Sequence, residues 1–175
     1  MRRLALLLAL GACAEAPEAP SASVPAPEAA PDTSAWATAL ADAPAGQLLY
    51  VPAYSHVYFG DRQRALDLAT TLSVRNADPE AALRLVAVHY VGSEGQRIRS
   101  YLDAPRTLGP LATADFVVAE SDRTGGAGAS FLVEWTADGP LTPPVVEAVM
   151  ISTSGQQGVS FVTEARVIAE AGAQP

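Results

Sequence analysis

The chain has 175 residues and a net charge of −8, a length that suits one domain of ordinary size. All eleven basic residues are arginine and there is no lysine. An acidic chain without a basic stripe excludes nucleic acid as a partner, because neutralising phosphates needs clustered positive charge.

At the N-terminus, Arg2 and Arg3 precede a short apolar run, Leu4–Leu10, which closes in Leu10-Gly11-Ala12-Cys13. A run this short does not span a bilayer, which takes about 20 apolar residues. The pattern predicts a secretory signal over residues 1–12, with small residues at the cleavage site. The cysteine that follows resembles the lipobox of bacterial lipoproteins, which implies a diacylglyceryl group on Cys13 as the new N-terminus. Cys13 is the only cysteine, so it has no disulfide partner in the chain. Two or more acyl chains hold a protein at a membrane stably. Ala14 follows the cysteine where aspartate would resemble an inner-membrane retention signal, so the expectation is an outer membrane, with the protein facing the periplasm. Loss of Arg2 and Arg3 makes the mature chain more acidic still, so the lipid and not the protein surface would do the anchoring.

Residues 13–46 are expected to form a tether. From Ala14 to Pro31 the chain is almost wholly Ala, Pro, Glu and Ser, with Pro17, Pro20, Pro25, Pro27 and Pro31 removing backbone donors. Without an apolar period such a stretch cannot offset its ordering entropy, which predicts disorder and an extended spacer. Between Asp32 and Ala43, Trp36 and Leu40 are four residues apart, and Asp32 or Ser34 is placed to cap a short helix. Docking on the domain, docking on a membrane and a frayed segment all remain open for it.

From residue 47 to 170 the pattern has a period of two. Tyr50 and the Tyr54–Phe59 stretch behind Pro52 supply the first strand or strands. Leu66, Leu68, Leu72 and Val74 alternate with polar or small residues until Asn76-Ala77-Asp78-Pro79 breaks the run. Leu83–Val91 makes another strand, turned by Gly92-Ser93-Glu94-Gly95 into Arg97–Leu102. Gly109-Pro110 marks a turn before Ala114–Glu120. Phe131, Val133 and Trp135 then share one face, and Pro140, Pro143 and Pro144 separate them from Val145–Ile151. A last strand, Val159–Ile168, places Val159, Phe161, Ala165 and Val167 on one side, and residues 171–175 are expected to be a disordered tail. Seven to eight short strands with turns every 8–12 residues predict an all-β, antiparallel, immunoglobulin-like β-sandwich.

Several segments together carry a resemblance: "YSHVYFGD" (54–61), "TLSVRNAD" (71–78), "RSYLDAPRTLGPLA" (99–112), "ESDRTGGAGASFLVEW" (120–135) and "GQQGVSF" (155–161). They resemble the bacterial lipoprotein family known as domain of unknown function 3124, over about Tyr50 to Ile168. The resemblance implies an envelope lipoprotein and no activity, so no catalytic residue is carried over from it.

The stretch "ESDRTGGAGAS" (120–130) is the densest cluster of unusual residues. It is not a P-loop, which needs GxxxxGK[ST] and therefore a lysine. Glu120 and Asp122, two residues apart and followed by Gly125 and Gly126, are a partial calcium set that would need further oxygens from another loop, such as Asp61. Zinc lacks ligands, with His56 and His89 the only histidines. A hydrolase could be drawn from His56, Ser130 and Asp122, although no G-x-S-x-G elbow is present. His56, between Tyr54 and Tyr58, reads more simply as a hydrogen-bonded strand histidine. Gly155-Gln156-Gln157-Gly158 either caps a hairpin or offers amides to a peptide or sugar.

The sequence thus predicts a lipid-anchored envelope protein, a non-enzymatic module for an envelope protein or small ligand, without a cofactor beyond the lipid on Cys13. The alternatives are an envelope hydrolase using His56 and the 120–130 loop, or a calcium-stabilised domain. Tyr54, His56, Asp61, Glu120, Asp122, Arg123, Gly125, Gly126, Gln156 and Gln157 are the candidate binding-loop residues.

Overall fold

The computed structural model describes residues 36–153 and 158–172. Two antiparallel sheets pack face to face, with a two-stranded ribbon at one end. Twelve strands run in chain order: β1 Ala45–Pro52, β2 His56–Phe59, β3 Asp61–Asp67, β4 Ala69–Arg75, β5 Leu83–Val91, β6 Arg97–Ser100, β7 Arg106–Leu108, β8 Thr113–Val118, β9 Ser130–Ala137, β10 Val145–Ser152, β11 Val159–Glu164 and β12 Arg166–Glu170. The larger sheet has the order β12-β1-β9-β5-β6, with β7 also on β5; the smaller is β11-β10-β4-β8, and β2 pairs with β3 as the ribbon. The fold is the antiparallel β-sandwich that the alternation predicts. Its central strands pair as in an immunoglobulin sandwich, β4 with β8 in one sheet and β5 with β9 in the other, while β1 and β10 flank opposite sheets.

The strands outnumber the seven or eight expected because the entry stretch forms two strands, β7 lies where no strand is expected, and two continuous runs turn corners. The run from Leu66 to Arg75 breaks at Leu68, which is fully buried and donates its N–H to the Ser55 carbonyl at 2.9 Å. Before this point the chain belongs to the ribbon, after it to the smaller sheet. The run Val159–Ile168 breaks at Ala165, whose N–H goes to the Val146 carbonyl at 3.0 Å. β11 therefore lies in the smaller sheet and β12 in the larger. This corrects the expectation of one shared face: Phe161 and Ala165 pack on the core, whereas Val159 and Val167 are exposed.

The core lies between the sheets. β8 and β10 show the alternation that one wet face demands. Phe116, Tyr101, Phe131 and Tyr90 form an aromatic chain across the interior, with successive ring centroids 5.4, 6.1 and 5.3 Å apart.

β9 is different, being buried along its whole length. Its second face is covered by residues 36–43, which form a strap with one 3-10 turn at Leu40–Asp42. Leu40 packs with Leu48, Val91 and Leu132, joined by Trp36, Ala37, Tyr50, Ala169 and Ala171. Gly46 makes room for it, since a Cβ there would lie 2.5 Å from the Trp135 carbonyl oxygen and 3.0 Å from Leu40 Cδ2. Of the three possibilities for residues 32–43, the described part is docked on the domain. Ala171 continues the pairing at the other end by donating to the Gly46 carbonyl at 3.0 Å, so the folded unit extends on both sides of 47–170. Residues 1–35 with Cys13, residues 154–157 with Gln156 and Gln157, and residues 173–175 lie outside the described residues.

Candidate functional site

Two neighbouring regions concentrate polar chemistry: the 120–130 connection between β8 and β9, and the outer face of the larger sheet beside the strap.

In the connection, each side chain singled out by sequence has a structural partner. Asp122 Oδ1 accepts from the N–H and hydroxyl of Thr124, at 3.0 and 2.5 Å, and Oδ2 accepts from Arg99 at 2.9 Å. The Thr124 hydroxyl, helped by Arg99, holds the Asp122 carboxyl below the usual range. Arg123 Nε reaches Asp67 Oδ1 on β3 at 2.5 Å. Glu120 accepts from Ser152 Oγ at 3.3 Å, so the connection and the end of β10 share one end of the sandwich.

The two glycine carbonyls act as anchors. That of Gly125 accepts both the N–H and the hydroxyl of Ser93, each at 3.0 Å, from the β5–β6 hairpin. That of Gly126 accepts the N–H and hydroxyl of Ser55 at 3.2 and 3.0 Å. Gly125 lies so close to the core that a Cβ would fall 1.9 Å from Tyr90 Oη. Burial pushes that phenol up to about 12. The connection is thus a clasp holding hairpin and ribbon to the sandwich.

His56 meets Ser55 Oγ at 3.0 Å through Nδ1 and packs edge-on against Tyr58, with centroids 5.1 Å apart. Ser130 lies in β9 opposite Pro52 and Val91. The trio of His56, Ser130 and Asp122 is therefore divided between ribbon, strand and clasp. Asp61 Oδ1 accepts from the N–H groups of Gln63 and Arg64 at 3.0 and 3.1 Å and closes the ribbon's turn. Tyr54 packs against the core and meets Phe161 edge-on at 5.7 Å. Among the described residues, no group of three or more His, Cys, Asp or Glu is placed to hold a metal ion.

On the outer face of the larger sheet a groove of about 230 Å³ opens between the strap, the β5–β6 hairpin and β12. Trp36 and Tyr50 are its aromatic walls, with Val91, Leu132 and Ile168 beside them; Ser93, Ser130, Gly92, Gly95 and Gly128 form the remaining edge. Trp36 is held by His89 at 5.6 Å between ring centroids, and by the Arg97 guanidinium at 5.4 Å from its ring. Burial, with Arg97 adding to it, lowers the His89 pKa and favours the neutral ring. The strap carrying Trp36 is latched by Glu134, fully buried on the outer face of β9. Its carboxylate accepts the N–H and hydroxyl of Thr38, both at 3.0 Å, and the N–H of Ala39 at 2.6 Å. A larger hollow, about 510 Å³, lies at the β11–β12 corner and lacks aromatic walls.

Sequence reasoning found the clasp and missed the groove. Gly128 and Ser130 are the members of the 120–130 stretch that line it. Trp36 carried a visible signal, an isolated large aromatic beyond a proline-rich run, while Tyr50, Leu132 and Ile168 read as ordinary strand residues.

The described residues form an all-β antiparallel sandwich with a latched strap and a small aromatic groove on its larger sheet. No helix among the described residues is long and apolar enough to cross a membrane. Residues 46–168 match the family described as Protein of unknown function (DUF3124), and the chain belongs to that family. No curated protein matches the sequence. Among solved structures, the chain is similar to the crystal structure of Thermotoga maritima 1070, with 10% identity, a TM-score of 0.41, and coverage of 69% of this chain and 92% of that one.

Proposed function

We propose that this protein is a lipid-anchored, non-enzymatic envelope module whose groove binds a short extended segment of apolar and small residues. The observation that carries this reading is the groove between Trp36 and Tyr50. Sites for drug-sized ligands enclose about 300–1,000 Å³. At about 230 Å³, this one suits two or three side chains of a longer chain running over the surface. Aromatic walls with a glycine and serine edge favour such a segment, because the rings supply contact area at little entropy cost and the exposed backbone supplies hydrogen bonds. Binding is preferred to hydrolysis because His56 is engaged by Ser55 and Asp122 by Arg99 and Thr124, and preferred to calcium because both Asp122 oxygens already accept hydrogen bonds.

The anchor part of the proposal rests on Arg2-Arg3, Leu4–Leu10 and Cys13. Cys13→Ser is expected to abolish acyl incorporation and release the protein from envelope membranes; continued membrane fractionation would refute it. The binding part is tested by a photo-crosslinker at Ile168, which is 44% exposed in the groove, compared in cells with one at Thr107 on β7. Adducts mapped to an extended peptide at Ile168 and absent at Thr107 are expected. Equal, nonspecific crosslinking at both positions would sink the proposal.

A further inference from the structure

We propose that β11 is a self-association edge: two copies of this chain pair antiparallel along it, Val162 against Val162 of the second copy, and join their smaller sheets into one. The groove lies on the larger sheet, so loss of either site leaves the other intact.

An unpaired strand edge offers a row of N–H and C=O groups to another strand, and proteins blunt such edges with bulges, charges, short length or covering groups. The other edges among the described strands carry these devices. β12 has a register shift against β1, between Leu48 and Leu49. β6 has four residues, two of them arginine, and a register shift of its own. β7 has three residues. The ribbon shifts register between Tyr58 and Phe59, and β3 carries Asp61, Arg64 and Asp67. β8 places Asp115 mid-strand, and its Val117 carbonyl accepts from Tyr101 Oη at 3.0 Å.

β11 carries none of these. Its six residues pair with β10 in unbroken register from Val159 to Glu164, with no proline and no charge before the last position. The described residues place no strand on its far side. Val162 is 54% exposed on the outer face, in a row with Val149, Thr71 and Val117 across the smaller sheet.

The occupant follows from the strand itself, because β11 is complementary to its own copy. Antiparallel pairing about Val162 sets Ser160 opposite the second copy's Glu164 at both ends, a hydroxyl donor facing a carboxylate. Phe161 then faces Thr163. Val162, Ser160 and Glu164 share the outer face, since Phe161 and Thr163 pair with the fully buried Met150 and Ala148. Along this pairing no like charges meet, although each chain carries a net charge of −8. Moving the centre by one residue sets Val162 opposite Ser160 or Glu164, a poorer cross-strand match. Such a contact is isologous and closes at two copies, and the blunted β8 edges end the joined sheet.

The test uses the full chain carrying Cys13→Ser, so that any thiol present is an introduced one. Sedimentation velocity across the micromolar range is expected to show a monomer–dimer equilibrium. Val162→Lys and Val162→Glu should each weaken dimerisation about tenfold or more, because like charges meet at the dyad. An equimolar mixture of the two should restore it as a heterodimer. Val162→Cys should form an intermolecular disulfide under mild oxidation, since directly opposed antiparallel residues lie about 4.5–5.5 Å apart at Cα, within disulfide reach. Val117→Cys, at a valine 56% exposed on the opposite edge of the same sheet, should stay reduced. The exposure of Val162 makes these substitutions compatible with folding, and the cysteine variants add no charge. A parent chain that is monomeric throughout overturns the proposal. So does a dimer that neither charge weakens, a mixture that stays monomeric, or equal crosslinking at both cysteines. A photo-crosslinker at Val162 that captures a different envelope protein in cells, and never this chain, assigns the edge to that protein and overturns self-pairing.

Discussion

Asp78 shows how one side chain can join distant parts of this fold. Its Oδ1 accepts from the N–H groups of Glu80 and Ala81 at 2.9 and 2.8 Å, and Oδ2 accepts from Thr142 at 3.0 Å, tying the β4–β5 turn to the β9–β10 connection. These donors, Ala81 first, lower its pKa from 3.8 to about 2. A carboxyl with a depressed folded-state pKa stabilises the fold above its unfolded value, and that contribution is lost as pH falls through the folded value. Asp78→Ala should therefore lower Tm at neutral pH, and the gap from the parent should close as pH falls from about 4 to about 2. A gap constant across that range in thermal melts would contradict this. Gly125 belongs at the same scale. Gly125→Ala places a methyl against the buried Tyr90, and overpacking of this kind costs about 1–3 kcal/mol. Gly139→Ala, with nothing within 4 Å of its added carbon, should be near neutral, and paired denaturant titrations would check the contrast.

At the scale of the element, the strap and β9 stabilise each other. β9 carries a glutamate among apolar residues, and the strap supplies three donors to it. Hydrogen bonds to charged groups contribute about 1.5–3 kcal/mol each in net terms. Glu134→Ala removes the acceptor and leaves the Thr38 and Ala39 amides to solvent. We expect a destabilisation of about 3 kcal/mol, with the strap opening before the sandwich unfolds. Cleavage at the exposed Asp42 by an Asp-directed protease should accelerate in native buffer while the far-ultraviolet circular dichroism is kept. Unchanged cleavage would mean that Leu40 and Trp36 hold the strap without the latch.

At the scale of the molecule, the connections behave as a frame around a sandwich. Ser55 and Ser93 hold the two glycine carbonyls, and Arg99 and Arg123 hold clasp to hairpin and ribbon. Each of these groups has a protein partner, and we expect a divalent-cation chelator to leave Tm unchanged. A chelator-induced fall restored by calcium would overturn that expectation. The exposed ion pairs contribute little each in water, so high salt should lower Tm only slightly.

The sequence by itself determined where several strands lie, because turn residues and period-two burial are local properties: β5 is legible to the residue, and β8 and β10 to within two residues at each end. It also marked residues 120–130 as unusual, and its tandem segments marked the family. Only the tertiary structure decided which faces are covered. Alternation continues unbroken through Leu68 and Ala165, so periodicity does not reveal that the chain changes sheet there. In β9, Leu132 and Glu134 read as a wet face until a strap about 95 residues away in sequence, at Thr38 and Ala39, covers them. The clasp is equally non-local, with Arg99 23 residues from Asp122 and Ser55 71 residues from Gly126. Local composition records what a segment is able to do; which donors, rings and carboxylates meet it is settled by packing between remote parts of the chain, and the groove beside Trp36 exists only there.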